Sequence, residues 1–286
     1  MILNVVKADL VQVDNFNKYY DIGVNLFCKQ FPNPEQIIND ALQSGVTCIL
    51  TGTDPKENRQ IDTFINNHQA YDTVGIHPHN ADTTRDRDYL EIEKIAKTNN
   101  KIVAIGECGL DHHWNPSGAD GRCESDFDEK TYKGEKELFQ MQLEFAKELK
   151  LPVIIHSRDA FEDTLDCLKN VGYHNGIVHC YSYGIEEAEK FLDLGWYIAF
   201  GGATTYTKKA KLDDMKALLQ FVPEDRFLCE TDAPYLAPVP FRGQSNNPVL
   251  VEEVYKFIAQ LRGTTPEALS ELVDENIDTL FFAKGR

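Results

Sequence analysis

Residues 137–159 read Glu-Leu-Phe-Gln-Met-Gln-Leu-Glu-Phe-Ala-Lys-Glu-Leu-Lys-Leu-Pro-Val-Ile-Ile-His-Ser-Arg-Asp. Two periodicities meet in this stretch. Residues 137–149 place Leu138, Met141, Leu143 and Phe145 near one helical stripe. Residues 153–156 form a short, continuous apolar run that ends in His156, and Pro152 sits just before it, where a strand tolerates proline. A helix that feeds a strand buried on both faces is the building unit of a parallel sheet.

The same unit recurs along the chain. Strand-like runs lie at 19–25, 47–51, 73–77, 102–107, 153–156, 176–179, 196–200 and 226–232. Helical signals separate them. Asn247-Pro248 precedes Val-Leu-Val-Glu-Glu-Val-Tyr as an N-cap with proline at the first position, and Thr264-Thr-Pro-Glu267 has capping-box spacing. Eight β–α alternations predict an α/β protein with a closed (β/α)8 TIM barrel; a doubly wound open sheet is the other architecture that fits. Neither GxGxxG nor GxxxxGK[ST] occurs, which weakens a nucleotide-cofactor reading. No internal repeat or linker divides the chain, so residues 1–286 are expected to form one barrel domain. Residues 1–18 read as an N-terminal extension and 112–134 as a long polar loop over the barrel mouth.

Composition narrows the function. The chain has 286 residues with 46 acidic and 29 basic side chains, a formal charge of −17. That balance argues against holding DNA on a broad basic surface, but not against handling a phosphate locally with a metal. No run of about 18 apolar residues exists, so no membrane partner is expected. The apolar start has no basic segment before it and is broken by Asp9. No secretory signal is therefore read, and a cytoplasmic location is expected, with the nucleus open. The seven cysteines are scattered without a CxxC pair, which fits a reducing compartment rather than a disulfide framework.

The strand ends carry the chemistry. The third run enters Gly75-Ile-His77-Pro-His79, the fourth ends at Glu107, the fifth at His156-Ser-Arg158, the sixth at His179, and the eighth reaches Asp232. In a barrel these side chains converge on the C-terminal face. Glu, His, His and Asp suit Zn, Mn or Mg, so Glu107, His156, His179 and Asp232 are candidate metal ligands, with hydrolysis by activated water as the chemistry. No nucleophile elbow competes with that reading. Taken singly, each residue has a plainer role. Glu107 could pair with a barrel Arg, Asp232 could cap the turn at Ala233-Pro234, and Arg158 could bridge to Asp159 or Glu162. His77 and His79 could be loop residues. His112 and His113 read as surface, and Cys108 and Cys180 as small packing residues.

Together these motifs resemble the TatD family of metal-dependent deoxyribonucleases. The residues that carry the likeness are Asp21-Ile-Gly-Val-Asn25-Leu, Thr51-Gly-Thr53, Gly75-Ile-His-Pro-His79, Ile105-Gly-Glu-Cys-Gly-Leu-Asp111, Pro152-Val-Ile-Ile-His-Ser-Arg-Asp159 and Glu230-Thr-Asp-Ala-Pro-Tyr235. They run in family order from about residue 19 to 282. The resemblance implies an amidohydrolase-like barrel that hydrolyses DNA phosphodiester bonds with one or two divalent ions (Mg, Mn or Zn), exonucleolytically from the 3′ end. It places Glu107, His156, His179 and Asp232 on the metal ligands, with Glu107, Asp232, His77 and His79 catalytic. His77 and His79 fall on the histidine pair beside metals and substrate. Arg158 and Asn25 fall where substrate or phosphate contacts are plausible.

Two departures qualify the match. Many relatives carry His-x-His at the end of the first strand, where this chain has Gly23 and Asn25, as in the TatD-proper branch. One of two metal sites should then be weak, or should favour Mg or Mn with several waters. Near residue 245, many members read Arg-Asn-Glu-Pro, whereas this chain reads Ser245-Asn-Asn-Pro248. The expected partner is DNA, with no organic cofactor and a monomer by default. The rival activity is metal-dependent hydrolysis of a small ester, amide or lactone on the same barrel.

Overall fold

The computed structural model describes residues 19–117, 123–124 and 127–283. The expected N-terminal extension, residues 1–18, lies outside them, as do 118–122 and 125–126 of the expected mouth loop. Strands and helices alternate. In order they are β1 (Tyr19–Val24), α1 (Pro34–Gln43), β2 (Val46–Thr51), α2 (Pro55–Ile65), β3 (Tyr71–Val74), α3 (Asp86–Thr98), β4 (Ile102–Asp111) and α4 (Glu129–Leu149). There follow β5 (Val153–Arg158), α5 (Phe161–Val171), β6 (Gly176–Val178), α6 (Ile185–Asp193), β7 (Tyr197–Phe200), α7 (Leu212–Phe221), β8 (Phe227–Cys229), α8 (Val251–Arg262) and α9 (Pro266–Ile277).

The eight strands pair in sequence order, and every ladder is parallel. Beyond the last ladder, Val24 bridges Ala233 in parallel, and the Asn25 amide donates to the Ala233 carbonyl at 2.8 Å. The Asp21 carboxylate on β1 accepts from the Thr231 amide and hydroxyl, both at 2.7 Å. These contacts draw the last strand against the first and nearly close the sheet. The fold is the expected (β/α)8 barrel. Its strands read as unbroken apolar runs because one face looks into the barrel and the other lies under helices. Trp196, Phe200, Phe227 and Ile22 are among the fully buried side chains.

The expected helix at 137–149 is too short. Asp128 caps α4 by accepting from the Thr131 amide at 2.8 Å, so the helix begins at Glu129 and the loop expected over 112–134 ends before it. The stripe is also corrected. The buried residues of α4 are Glu135, Leu138, Phe139, Gln142, Leu143 and Ala146, whereas Met141 is 42% exposed. Two polar residues occupy buried positions, which hides the true face from a hydrophobicity reading. Both pin barrel backbone. Gln142 Oε1 accepts from the Ile76 amide at 2.7 Å, its Nε2 donates to the Ile76 carbonyl at 2.9 Å, and Glu135 accepts from the Asp111 amide at 3.1 Å.

Smaller shifts concern caps. Asn247 caps a single turn, Pro248–Leu250, before α8 rather than α8 itself. Thr265, not Thr264, caps α9, accepting from the Ala268 amide at 3.2 Å. Asn246, beside the departure noted above, is buried and donates to the carbonyls of Thr231 and Tyr235 at 3.1 and 2.6 Å. It therefore ties the loop after β8 to the barrel.

Candidate active site

β4 runs ten residues, longer than its neighbours, and delivers two carboxylates to the mouth. Glu107 and Asp111 are four residues apart, so strand alternation puts both on one face. β5 delivers His156 between them: Nδ1 lies 2.8 Å from Glu107 Oε1, and Nε2 lies 3.0 Å from Asp111 Oδ2. The turn after β3 adds two rings. His77 Nε2 stands 3.8 Å from Glu107 Oε1, and His79 Nε2 stands 3.1 Å from Asp111 Oδ2. The His77 ring packs edge-on against both His79 and His156, with centroids 4.5 Å apart in each case.

A second cluster abuts the first. His179, after β6, holds Glu230 Oε2 at 2.6 Å through Nδ1, and the Cys180 amide donates to Glu230 Oε1 at 2.5 Å. His179 Nε2 lies 3.9 Å from Glu107 Oε1 and 3.6 Å from Asp232 Oδ1. Asn25 Nδ2 donates to Asp232 Oδ1 at 3.2 Å. One oxygen, Glu107 Oε1, thus faces imidazole nitrogens of His77, His156 and His179 and joins the two clusters. Cys180 and Asp232 hold left-handed backbone (φ +43° and +62°) at the strand ends, a conformation of order 1–3 kcal/mol above the ordinary basins.

The backbone around the rim is fixed by further side chains. The Glu57 carboxylate, at the start of α2, accepts from the Thr53 amide at 3.0 Å and hydroxyl at 2.5 Å. The Thr53 carbonyl accepts the His77 amide at 2.8 Å, and the Gly52 carbonyl accepts the Glu107 amide at 3.1 Å. Gly75 lets β3 approach β4: a Cβ there would stand 2.5 Å from the Gly106 carbonyl carbon.

The electrostatics follow from these contacts. Burial alone would raise the Glu107 carboxyl, but the charge of His179 and the hydrogen bond to His156 outweigh it and hold it well below the usual carboxylate range. Asp111 is lowered in the same way: burial opposes, and the bonds to His156 and His79 prevail. His156 shows the converse. Burial disfavours its charge, yet Asp111 and Glu107 push its pKa up to about 9. His77 lacks so close a partner, and burial, aided by the nearby His156, pushes it down to about 3. Burial opposes charge on His179, but Cys180 and Glu230 raise it well above its ordinary value. Burial itself pushes the Cys180 thiol well up, so the 2.6 Å bond to Glu230 is the contact that fixes the His179 proton.

Glu107, His156, His77 and His179 come together as expected. Asp232 touches the second cluster through His179 and Asn25. His79 reaches the site through Asp111 rather than Glu107. Arg158 ends β5 with an exposed side chain. His112 is not a surface residue: its side chain is 12% exposed and packs on the Tyr132 ring at 4.0 Å. His113 is partly covered and meets Asp159 at 2.7 Å. Cys180 lies inside the second cluster rather than in mere packing. Sequence reasoning misses Asp111, Glu230 and Glu57. Period-two spacing from Glu107 and Asp232 exposes the first two, whereas Glu57 sits on a helix and gives no such signal.

The donor chemistry fits divalent cations. The ligand atoms of His77, Glu107 and His156 lie within 4.8 Å of one another, as do those of His179, Cys180 and Glu230. Two ligands each about 2.0–2.2 Å from one ion must lie within about 4.4 Å, so small adjustments suffice. Among the described residues, the ion pairs of Glu107, Glu230 and Asp232 are all with imidazoles, not with Lys or Arg. A divalent ion would supply the balancing positive charge.

Comparison with known proteins agrees. Residues 20–282 match the TatD related DNase family. An uncharacterized metal-dependent hydrolase, YabD of Bacillus subtilis, is 35% identical over 267 residues, 92% of this chain and 98% of that protein. The 3′-5′ ssDNA/RNA exonuclease TatD of a Rahnella species is 32% identical over 277 residues, 93% of this chain and 99% of that protein. Among solved structures, the TatD homologue YJJV of Escherichia coli superposes with a TM-score of 0.82 at 26% identity, covering 93% of this chain and 98% of the other. The chain therefore belongs to the TatD family of metal-dependent hydrolases.

Proposed function

We propose that this protein is a divalent-metal-dependent deoxyribonuclease that removes nucleotides from the 3′ end of DNA. The observation that carries the reading is Glu107 Oε1, which faces three imidazoles from three strand ends at the barrel mouth. His77, Glu107 and His156 would hold one ion (Mg, Mn or Zn). His179 through Nε2 and Asp232 would hold a second, with Glu230 keeping the proton on His179 Nδ1. Bound there, a divalent ion supplies positive charge to a phosphate oxygen and lowers the pKa of water.

The chain's own groups do the rest. Asp232, oriented by Asn25, accepts the proton of the attacking water at its carboxylate. Asp111 holds the proton on His156 Nε2, so that Nδ1, which faces Glu107, is the nitrogen that would give up its proton to an ion. His77, with its pKa near 3, keeps a lone pair at neutral pH. His79 and Arg158 would donate to non-bridging phosphate oxygens.

The test is digestion of oligonucleotides labelled at either end, single- and double-stranded, by metal-stripped protein with Mg²⁺, Mn²⁺ or Zn²⁺ restored. A 5′-labelled ladder that shortens progressively from the 3′ end, only with metal, is the expected result. No cleavage with any metal, alongside hydrolysis of a small ester, amide or lactone, would replace this reading with the small-molecule one.

A further inference from the structure

We propose that the loops after β7 and β8 form the track on which the body of a single nucleic-acid strand lies while one end occupies the site. The inference rests on the nuclease reading above and names the surface that holds its substrate.

Three observations carry it. The first is charge. Residues 201–211, between β7 and α7, hold the exposed Lys208, Lys209 and Lys211, and residues 233–247, between β8 and α8, hold the exposed Arg242. Neither segment contains an Asp or Glu, in a chain where 46 of 286 residues are acidic. The acid-free strip ends at Asp213 and Asp214 on the first turn of α7. With a net charge of −17, most of this surface repels a polyanion. Screening confines that repulsion to about 10 Å at ordinary salt, so a local basic strip suffices to seat a strand.

The second is that the two loops form one surface. Tyr206 Oη donates to the Ala237 carbonyl at 2.7 Å, and the Val239 amide donates to Thr205 Oγ1 at 2.9 Å. Gly202 lies against the Leu236 carbonyl so closely that a Cβ would stand 2.0 Å from its oxygen. The Arg242 guanidinium lies over the Tyr206 ring, 4.2 Å from its centroid. The strip also starts at the site, since the Tyr235 amide donates to the Asp232 carbonyl at 2.8 Å.

The third is apolar exposure. Tyr235, Leu236 and Val239 are 49%, 39% and 48% exposed on that same surface. Aromatic and apolar faces beside a row of cations are what an unpaired strand needs: bases stack while phosphates meet lysines. In a duplex the base faces are already stacked, so only its phosphates can engage.

The experiment measures binding apart from cleavage. A fluorescent single-stranded 20-mer with cleavage-resistant phosphorothioate linkages is titrated with the protein from 50 to 300 mM salt. The K208Q/K209Q/K211Q variant is compared with K94Q/K147Q/K169Q, which removes the same charge from the outer helices. The strand track predicts that the first variant weakens binding about tenfold or more at 50 mM salt. It also lowers the steepness of log K against log salt by about 2, near 0.7 for each phosphate that a lysine no longer neutralises. The second variant leaves both unchanged, and Y235A narrows the preference for single strand over duplex. Equal effects of the two triple variants, no effect of the first, or no binding by the wild type would overturn the track. Binding that follows the expected pattern in a protein that cuts no DNA would uphold the track and reject the nuclease reading instead.

Discussion

At the scale of the residue, Gly23 decides what the first strand can contribute. Its φ is +127°, and a Cβ there would stand 2.9 Å from His179 Cε1 and 3.4 Å from Glu230 Oε2. The space that a side chain would need is filled by the His179–Glu230 pair, so absence of a first-strand histidine goes with a site packed differently, not with an empty one. Gly23→Ala is expected to destabilise the fold by about 1–3 kcal/mol through backbone strain and crowding. Urea unfolding checks this; an unchanged midpoint would mean that the His179 ring yields freely. Individual site residues are legible in the sequence where a polar side chain ends an apolar run, as at Glu107, His156 and His179. Asp111 and Glu230 are hidden in plain view, each belonging to a quoted motif and each one alternation or two from a chosen ligand. Glu57 is beyond reach because its role depends on Thr53, brought to it by the turn into α2.

Elements are legible in kind and less so in extent. All eight strands stand out because burial on both faces makes each an apolar run. β4 reads four residues short, since Cys108-Gly-Leu-Asp111 continues the ladder with β5 through a glycine and an acid that a propensity reading treats as stops. α4 reads eight residues short because its first turns are polar and its buried face includes Glu135 and Gln142. Closure of the barrel is legible in the count of eight alternations, but the contact that makes it is not, because it depends on Asp21 meeting Thr231 across 210 positions of sequence. That contact has a pH signature. Burial raises Asp21 to about 8, and the Thr231 hydrogen bonds only partly offset it. A carboxyl whose folded pKa exceeds its unfolded value of about 4 binds its proton more tightly when folded. The stabilisation is therefore complete below about pH 4 and is lost as pH rises through about 8, by at most about 5 kcal/mol. Asp21→Asn, which cannot ionise, should flatten that loss in metal-stripped protein. Chemical unfolding at pH 6 and pH 9 measures it, and equal pH slopes in the two proteins would exclude Asp21 as the cause.

At the scale of the whole molecule, the barrel turns scattered sequence into one site. Strand ends from β3, β4, β5, β6 and β8 are far apart in the chain, yet the parallel ring delivers all of them to one mouth. The net charge of −17 then makes sense of a division of labour. On the proposed reading, acidic groups at the mouth take cations, and the acid-free segments beside it take a polyanion. The central claim is that one carboxylate, Glu107, joins both donor clusters. The most direct test is Mn²⁺ binding to metal-stripped protein, followed by electron paramagnetic resonance, in wild type and Glu107→Gln. Loss of this shared donor should weaken binding more than about 100-fold, beyond the 10–100-fold typical when only an outer-shell partner is lost, with circular dichroism unchanged. Wild-type affinity and stoichiometry in Glu107→Gln would contradict the account.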